Sequence, residues 1–421
     1  MNDISLNNNS IRPNIRFNSV MICLLAITYI SPLIGSYLPF AVRLLFFIIW
    51  TISASSIDRG AFNFKNKIFK VWSLLFIWQL IMLIIGHINT SPKEIVAKFC
   101  IYYFPLMFSF VVRNYSFKEL RHLFIGFLLI MLYMLVDNIR IGESNAEIFE
   151  DIYHGYGGPM TNAGRTSFVA MCMFYTGTCY LLFRSKITKI LRFVCALSMV
   201  MSGYYILYIN SRTTTSLLFL VLMAGLLSIP FFSRWKHGNR AFISFIIFAV
   251  AISLLDFGGF MSWLTGLFAG DERMNYRMQG LNDMATYGLQ DSTFSGRFGL
   301  AMMSLSTWLN NIWSFLFGVG EVTTQEEAFM NGIGNHSEFI DFLGEYGIAG
   351  FYFMVVAFSS TIKFIYELFQ EVYYKYAVAI IMVVLIIYSV FNKSMVEEMF
   401  CMMFLIIPVF LLYASQSKST I

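Results

Sequence analysis

Charge is what this chain has least of. Only 13% of its residues are Asp, Glu, Lys or Arg, against roughly 25% in an average soluble domain. The hydrophobic share is 58% and the mean hydropathy +0.67. This excludes a soluble enzyme, a disordered chain and a secreted disulfide scaffold. Phosphate-loop and metal chemistry also lack their usual signatures. There is no Walker sequence, no His/Cys cluster at ligand spacing and no Asp-x-Asp pair. A metal-dependent transferase using a nucleotide sugar would want carboxylates in its first outer loop or in a soluble domain. The first outer loop, near 36–38, holds none. Cys23, Cys100, Cys172, Cys179, Cys195 and Cys401 all fall within apolar runs. They read as small buried apolar residues, not as disulfide or zinc ligands.

What fills the chain instead is Phe (45), Met (25) and Tyr (23) among its 421 residues. These side chains suit a lipid-facing surface with wet ends. Length alone allows two or three soluble domains; the hydropathy points instead to one all-α, polytopic helix bundle. A bilayer-crossing helix needs roughly 20 mostly apolar residues. Twelve spans are expected, near 18–36, 38–55, 70–88, 95–112, 120–138, 166–183, 191–209, 214–232, 240–258, 346–362, 376–391 and 398–414. The first follows an Asn-rich segment holding Arg12 and Arg16 and is succeeded at once by another. It therefore reads as a retained helix and not a cleaved signal peptide. No internal repeat is evident, which weighs against an inverted-repeat transporter.

Short-loop Lys and Arg set the orientation. One side collects Arg59, Lys65, Lys67, Lys70, Arg113, Lys118, Arg121, Arg184, Lys186, Lys189, Arg192, Arg234, Lys236 and Arg240. That side is expected to be cytoplasmic, with both termini. Because these residues are dispersed through short loops, the net charge of +5 does not point to nucleic acid. The opposite side has only isolated basic residues, among them Arg165, Arg212 and Arg297. It carries a loop at 139–165, a tight turn at 210–213 and a large loop at 259–345. The large loop is expected to contain a helix near 298–317. In it Ser304, Thr307, Asn311 and Ser314 form one polar stripe, suited to lying in the interface or capping a cavity mouth.

Candidate functional residues sit on this outer side. Arg212 lies between two apolar spans, where a charge is costly and often functional, although it could instead snorkel from a helix end. Arg297 opens the expected interfacial helix, and both a guanidinium and a helix N-terminus favour phosphate oxygens; ordinary headgroup contact is the alternative. His336 is the only histidine of the large loop and can act as a base near neutral pH, or can serve a structural cap. Asn335 reads as the N-cap of the following helix. Glu338, Asp341 and Glu345 share one helix face, a pattern that also stabilises a helix N-terminus. Arg165, Arg43 and Lys98 are binding candidates that could equally be interfacial anchors. Gly320, which closes the Gly318-Val319-Gly320 run, and Asn335 are further candidates for substrate contact.

Five of these pieces together resemble the O-antigen polymerase and ligase (Wzy/WaaL) superfamily. They are Ser211-Arg212 at a tight outer turn, Ser295-Gly296-Arg297 before an amphipathic helix, Phe317-Gly318-Val319-Gly320, Asn335-His336, and Glu345-Tyr346-Gly347-Ile348-Ala349-Gly350 entering a span. The motifs cover about residues 150–362. The resemblance implies a glycosyltransferase of GT-C-like architecture in a bacterial inner membrane, its active site facing the periplasm. Its donor and acceptor would be undecaprenyl-diphosphate-linked oligosaccharides, with membrane lipid and a chain-length regulator protein as further partners. No cofactor, metal or nucleic acid is implied. The expected activity is O-antigen polymerisation. The alternatives are a ligase transferring glycan to the lipid A core, and a flippase or transporter.

Overall fold

A computed structural model describes residues 13–31, 34, 38–86, 99–144, 170–175, 189–209, 292–322, 325–391 and 397–419. Among the described residues there is no β-strand, so the fold is all-helical. The elements run α1 Pro13–Ile30, α2 Phe40–Ile57, a 3₁₀ turn Arg59–Phe62, α3 Lys67–Gly86, α4 Tyr103–Asn114, α5 Phe117–Ser144 and α6 Lys189–Ile209. After these come α7 Ser292–Leu309, α8 Ile312–Phe317, α9 Gln325–Met330, α10 Glu338–Leu368 and α11 Val372–Phe391. The last rod is α12 Glu397–Cys401, a π-helical turn Met402–Ile406 and α13 Ile407–Ser419.

Six of the helical segments are long and apolar enough to cross a membrane: Phe40–Ile57, Arg59–Ile85, Phe117–Val136, Glu338–Leu368, Val372–Val390 and Glu398–Gln416. They match six of the twelve expected spans. The expected spans 18–36 and 95–112 fall on the shorter apolar helices Asn14–Ile30 and Phe99–Asn114, and 191–209 falls on α6. The spans 214–232 and 240–258, and all of 166–183 except 170–175, lie outside the described residues. The first helix starts five residues earlier than expected, at Pro13, because proline is tolerated at a first helical position. It stops at Ile30 because Pro32 disfavours helical backbone in the residue before it.

The terminal rod is the centre of the bundle. Its apolar window is 89% buried, against 17% for α2, which leaves α2 on the lipid side. Around it Trp72 of α3 stacks on Tyr102 with ring centroids 5.0 Å apart and meets Phe400 edge-on at 5.5 Å. The indole N–H of Trp72 donates to Thr361 Oγ1 at 2.9 Å, so a fully buried tryptophan has its polar atom satisfied.

Contacts at one end of the bundle fix the relative directions of the helices. Arg113, ending α4, pairs with Asp58 at the end of α2 (Nε to Oδ2, 3.1 Å). Ser19 of α1 donates to the Tyr115 hydroxyl at 3.1 Å, and Phe117 of α5 stacks on Tyr413 of α13 at 5.2 Å. The Trp72–Thr361 bond puts the start of α3 beside the far half of α10. The basic residues Lys65, Lys67, Lys70, Arg113, Lys118 and Arg121 therefore gather at a single end, as the loop pattern anticipates. The start of α2 and the start of α10 lie at the other end.

Candidate functional site

At that other end α10 begins, with residues from Glu338 onward helical, so Glu338, Asp341 and Glu345 do lie on one helix. The cap is Ser337, whose hydroxyl accepts from the Ile340 N–H at 3.4 Å; it is not Asn335. Asn335 instead occupies left-handed backbone (φ 55°), turning the chain so that Ser337 can take the cap position. His336, between them, is exposed. Its Nδ1–H donates to the Asn335 carbonyl at 2.9 Å. A carbonyl can only accept, so the proton sits on Nδ1 and the lone pair of the neutral ring is on Nε2. With Ser337 as the cap, the helix start makes no demand on the imidazole.

The acids behind His336 are buried and take different roles. Asp341 Oδ1 accepts from Ser304 Oγ at 2.6 Å and its Oδ2 from the Ser337 N–H at 2.8 Å. Ser304 Oγ in turn accepts from the Gly334 N–H at 2.8 Å. This chain of bonds ties α7, the turn at 334–337 and the start of α10 into one clasp. Asp341 is thus engaged in holding the helix N-terminus. Glu338 and Glu345 border a different cluster. There the Tyr102 hydroxyl donates to Gln79 Oε1, Tyr346 shares a hydrogen bond with the same Gln79, and Glu338 acts electrostatically on both phenols. Gln79, Tyr102, Tyr346, Glu338 and Glu345 are all buried. The arrangement is a polar core between α3, α4 and α10.

The expected single helix at 298–317 is two. α7 already starts at Ser292 and ends at Leu309; Asn311 then caps α8, accepting from the N–H groups of Trp313 and Ser314, both at 2.9 Å. The Ser314 hydroxyl accepts back from the Asn311 N–H at 3.1 Å. Thr307 Oγ1 donates to the Gly332 carbonyl at 2.8 Å. All four residues of the polar stripe therefore make internal hydrogen bonds. Asn and Ser break helices in this way because their short side chains compete for backbone groups. The earlier start of α7 also puts Arg297 past the first turn, where the helix dipole has faded, so it does not open the helix.

The glycine-rich pieces meet at a break in α10. Gly347 has φ 63° and ψ −173°, and Gly318 has φ 80°. A Cβ on Gly347 would meet the Leu316 carbonyl at 2.4 Å, and one on Gly318 the Glu345 carbonyl at 2.3 Å. The break presents three carbonyls to outside donors. Gly344 accepts from the Val319 N–H at 2.9 Å, Glu345 from the Gly320 N–H at 3.0 Å, and Tyr346 from the Trp78 indole at 3.3 Å. Gly320 was expected to contact substrate; its backbone N–H is committed to this junction.

Arg43 lies in the first turn of α2, at the same end of the bundle as His336, with its guanidinium carbon 5.5 Å over the Tyr29 ring. Arg212, Arg165 and Lys98 lie outside the described residues, as does the side chain of Arg297. The loop 139–165 lies outside them beyond Ser144, where α5 ends. Sequence reasoning did not single out Gln79 and Tyr102. The available signal was one amide in the middle of an otherwise apolar α3. Cys100, Cys172, Cys195 and Cys401 are buried and Cys23 is partly buried, none of them in a disulfide; Cys179 lies outside the described residues. Among the described residues no group of three or more His, Cys, Asp and Glu is placed to hold a metal ion. No protein-family model matches this chain, and no curated protein matches it significantly.

Proposed function

We propose that this chain is a metal-independent membrane glycosyltransferase, an O-antigen polymerase joining undecaprenyl-diphosphate-linked oligosaccharide repeat units on the periplasmic face of a bacterial inner membrane. His336 carries the proposal. It is exposed, stands at the end of the bundle opposite the basic loops, and keeps Nε2 available as a base. An acceptor hydroxyl placed there would lose its proton to Nε2 as its oxygen attacks the anomeric carbon of the donor. The bond from that carbon to the lipid diphosphate breaks, and the diphosphate leaves with the electron pair. The leaving group needs fixed cations, and the guanidinium groups of Arg212 and Arg297 are suited to bidentate contact with it. Glu338, buried next to the Tyr102 and Tyr346 phenols, would orient the acceptor through that polar cluster. The donor is already activated, so the chemistry calls for no nucleotide.

Deletion of the chain followed by lipopolysaccharide gel analysis tests the reaction class. A polymerase deletion leaves core bearing a single repeat. Bare core with lipid-linked glycan accumulating would replace the reading with a ligase. Bare core with single repeats trapped on the cytoplasmic face would replace it with a flippase.

A further inference from the structure

Helix α8 carries an apolar edge that no other described part of the chain covers. Trp313 is 70% exposed and Ile312 63%, and Leu309, Leu316 and Phe317 extend the same edge. Its other side is fastened to the bundle. Trp308 of α7 stacks on Phe315 at 5.0 Å, and Phe317 stacks on Trp78 of α3 at 6.0 Å.

That second contact sets the depth of α8. Trp78 is not at the end of α3: the helix runs on through Ile81, Ile84 and Ile85, all exposed, and remains within its membrane-crossing segment to Ile85. Seven residues of helix rise about 10 Å. Phe317 therefore sits about 10 Å inside the end of an apolar helix that is long enough to cross the hydrocarbon. α10, on which α8 docks at Gly347, likewise exposes the apolar residues Ile348, Tyr352 and Val355.

Many of the backbone groups at and around α8 have partners within the chain. Asn311 takes the Trp313 and Ser314 N–H groups, the Gly318 N–H returns to the Ser314 carbonyl at 2.8 Å, and the Trp308 indole donates to the Phe315 carbonyl at 3.0 Å. The Val319 and Gly320 N–H groups are taken by α10. Water would satisfy these groups without help; hydrocarbon would not.

We propose that α8, with the end of α7, is a re-entrant foot whose exposed apolar edge is covered by lipid acyl chains of the leaflet at the His336 end of the bundle. The edge is occupied by lipid and not by a second copy or another protein, because α8 is docked on two helices apolar and long enough to cross a membrane, α3 and α10, each of which exposes apolar residues beside the docking point. The exposed Trp313 is the kind of residue that settles at the acyl–headgroup boundary. This inference rests on the spanning helices and on α8, and does not depend on the reaction catalysed.

The test uses the full chain in vesicles. Subtracting the tryptophan emission of Trp313→Phe from that of the unmodified protein isolates Trp313. Phe fits an exposed position, so the variant keeps the fold. In vesicles of phospholipid brominated on the acyl chains, the difference emission should be largely lost. Ile312→Trp in the Trp313→Phe chain should restore a component quenched by the same lipid. Quenching by aqueous iodide without quenching by bromolipid would mean that the edge faces water, and would overturn the proposal. Quenching by neither would mean that protein covers it, a second copy included, and would overturn it equally.

Discussion

Replacing Gly347 with alanine tests the junction on which the whole outer end depends. The backbone at Gly347, with φ 63° and ψ −173°, belongs to a region essentially reserved for glycine. Forcing an L-residue into it costs about 1–3 kcal/mol. The new Cβ would also lie 2.4 Å from the Leu316 carbonyl carbon and oxygen and from the Phe317 nitrogen. These are backbone atoms and cannot swing aside as a side chain would. α8 must retreat, and with it go the Val319-to-Gly344 and Gly320-to-Glu345 hydrogen bonds. At about 1 kcal/mol each, these bring the expected loss to about 3–5 kcal/mol. Thermal unfolding of the detergent-solubilised protein, followed by size exclusion at a fixed heating rate, is the assay. Gly347→Ala should melt several degrees below the unmodified chain. Gly299→Ala is the control, since a Cβ there meets nothing within 4 Å and alanine is the better helix former by about 1 kcal/mol. If both variants melt together at the unmodified temperature, the tight docking of α8 into the break is wrong.

Three other substitutions probe separate parts of the structure. Asp341→Asn should lower the melting temperature, with a cost of about 1–3 kcal/mol, because a buried acceptor of two hydrogen bonds acquires an amide group facing one of its donors; an unshifted melt would remove Asp341 from the clasp. Arg113→Ala, which removes the exposed partner of the ion pair with the largely buried Asp58, should cost about 1 kcal/mol, and a much larger shift would mean that the pair organises the basic end more strongly than the exposure of Arg113 implies. His336→Asn should fold normally, since Ser337 and not residue 336 caps α10, yet fail to elongate glycan in liposomes supplied with lipid-linked repeats; turnover at the unmodified rate would take His336 out of the chemistry and leave Glu338 as the next candidate base.

The spanning helices were legible because their signal is local: a run of apolar residues of sufficient length is visible without knowing its neighbours. The break in α10 was not. Gly344, Gly347 and Gly350 in an apolar segment read equally well as small residues inside a continuous helix. Only the approach of residues 316–320, distant in sequence, distinguishes the one that interrupts it. The same non-locality misplaced the cap, because Asn335 and Ser337 are both good cap residues and the bond from Ser304 to Asp341 decides between them. At 304–314 the even spacing of four polar residues suggested one face of one helix. Asn311 instead spends its side chain on the backbone of α8 and ends that periodicity. His336 and Glu338 were legible as chemical types, but the tautomer of one and the burial of the other depend on atoms that spacing does not reveal.

The π-helical turn in the terminal rod has a consequence for how this chain can change over time. The Ile407 N–H reaches back five residues to the Met402 carbonyl, so the rod holds one residue more than a regular helix would use there. One extra residue rotates everything downstream by about 100°. The rod upstream of the turn presents Phe400 to Trp72, while beyond it Phe410 and Tyr413 meet Phe124 and Phe117 of α5. Both faces are filled by buried rings, and the turn is the phase adjustment that lets one rod serve two partners. A single-residue deletion anywhere from Met402 to Ile406 would let the backbone relax into an ordinary helix and swing Phe410 and Tyr413 off α5. Point substitutions can drift through this segment, but its length cannot: its residue count is as much a part of the fold as its composition.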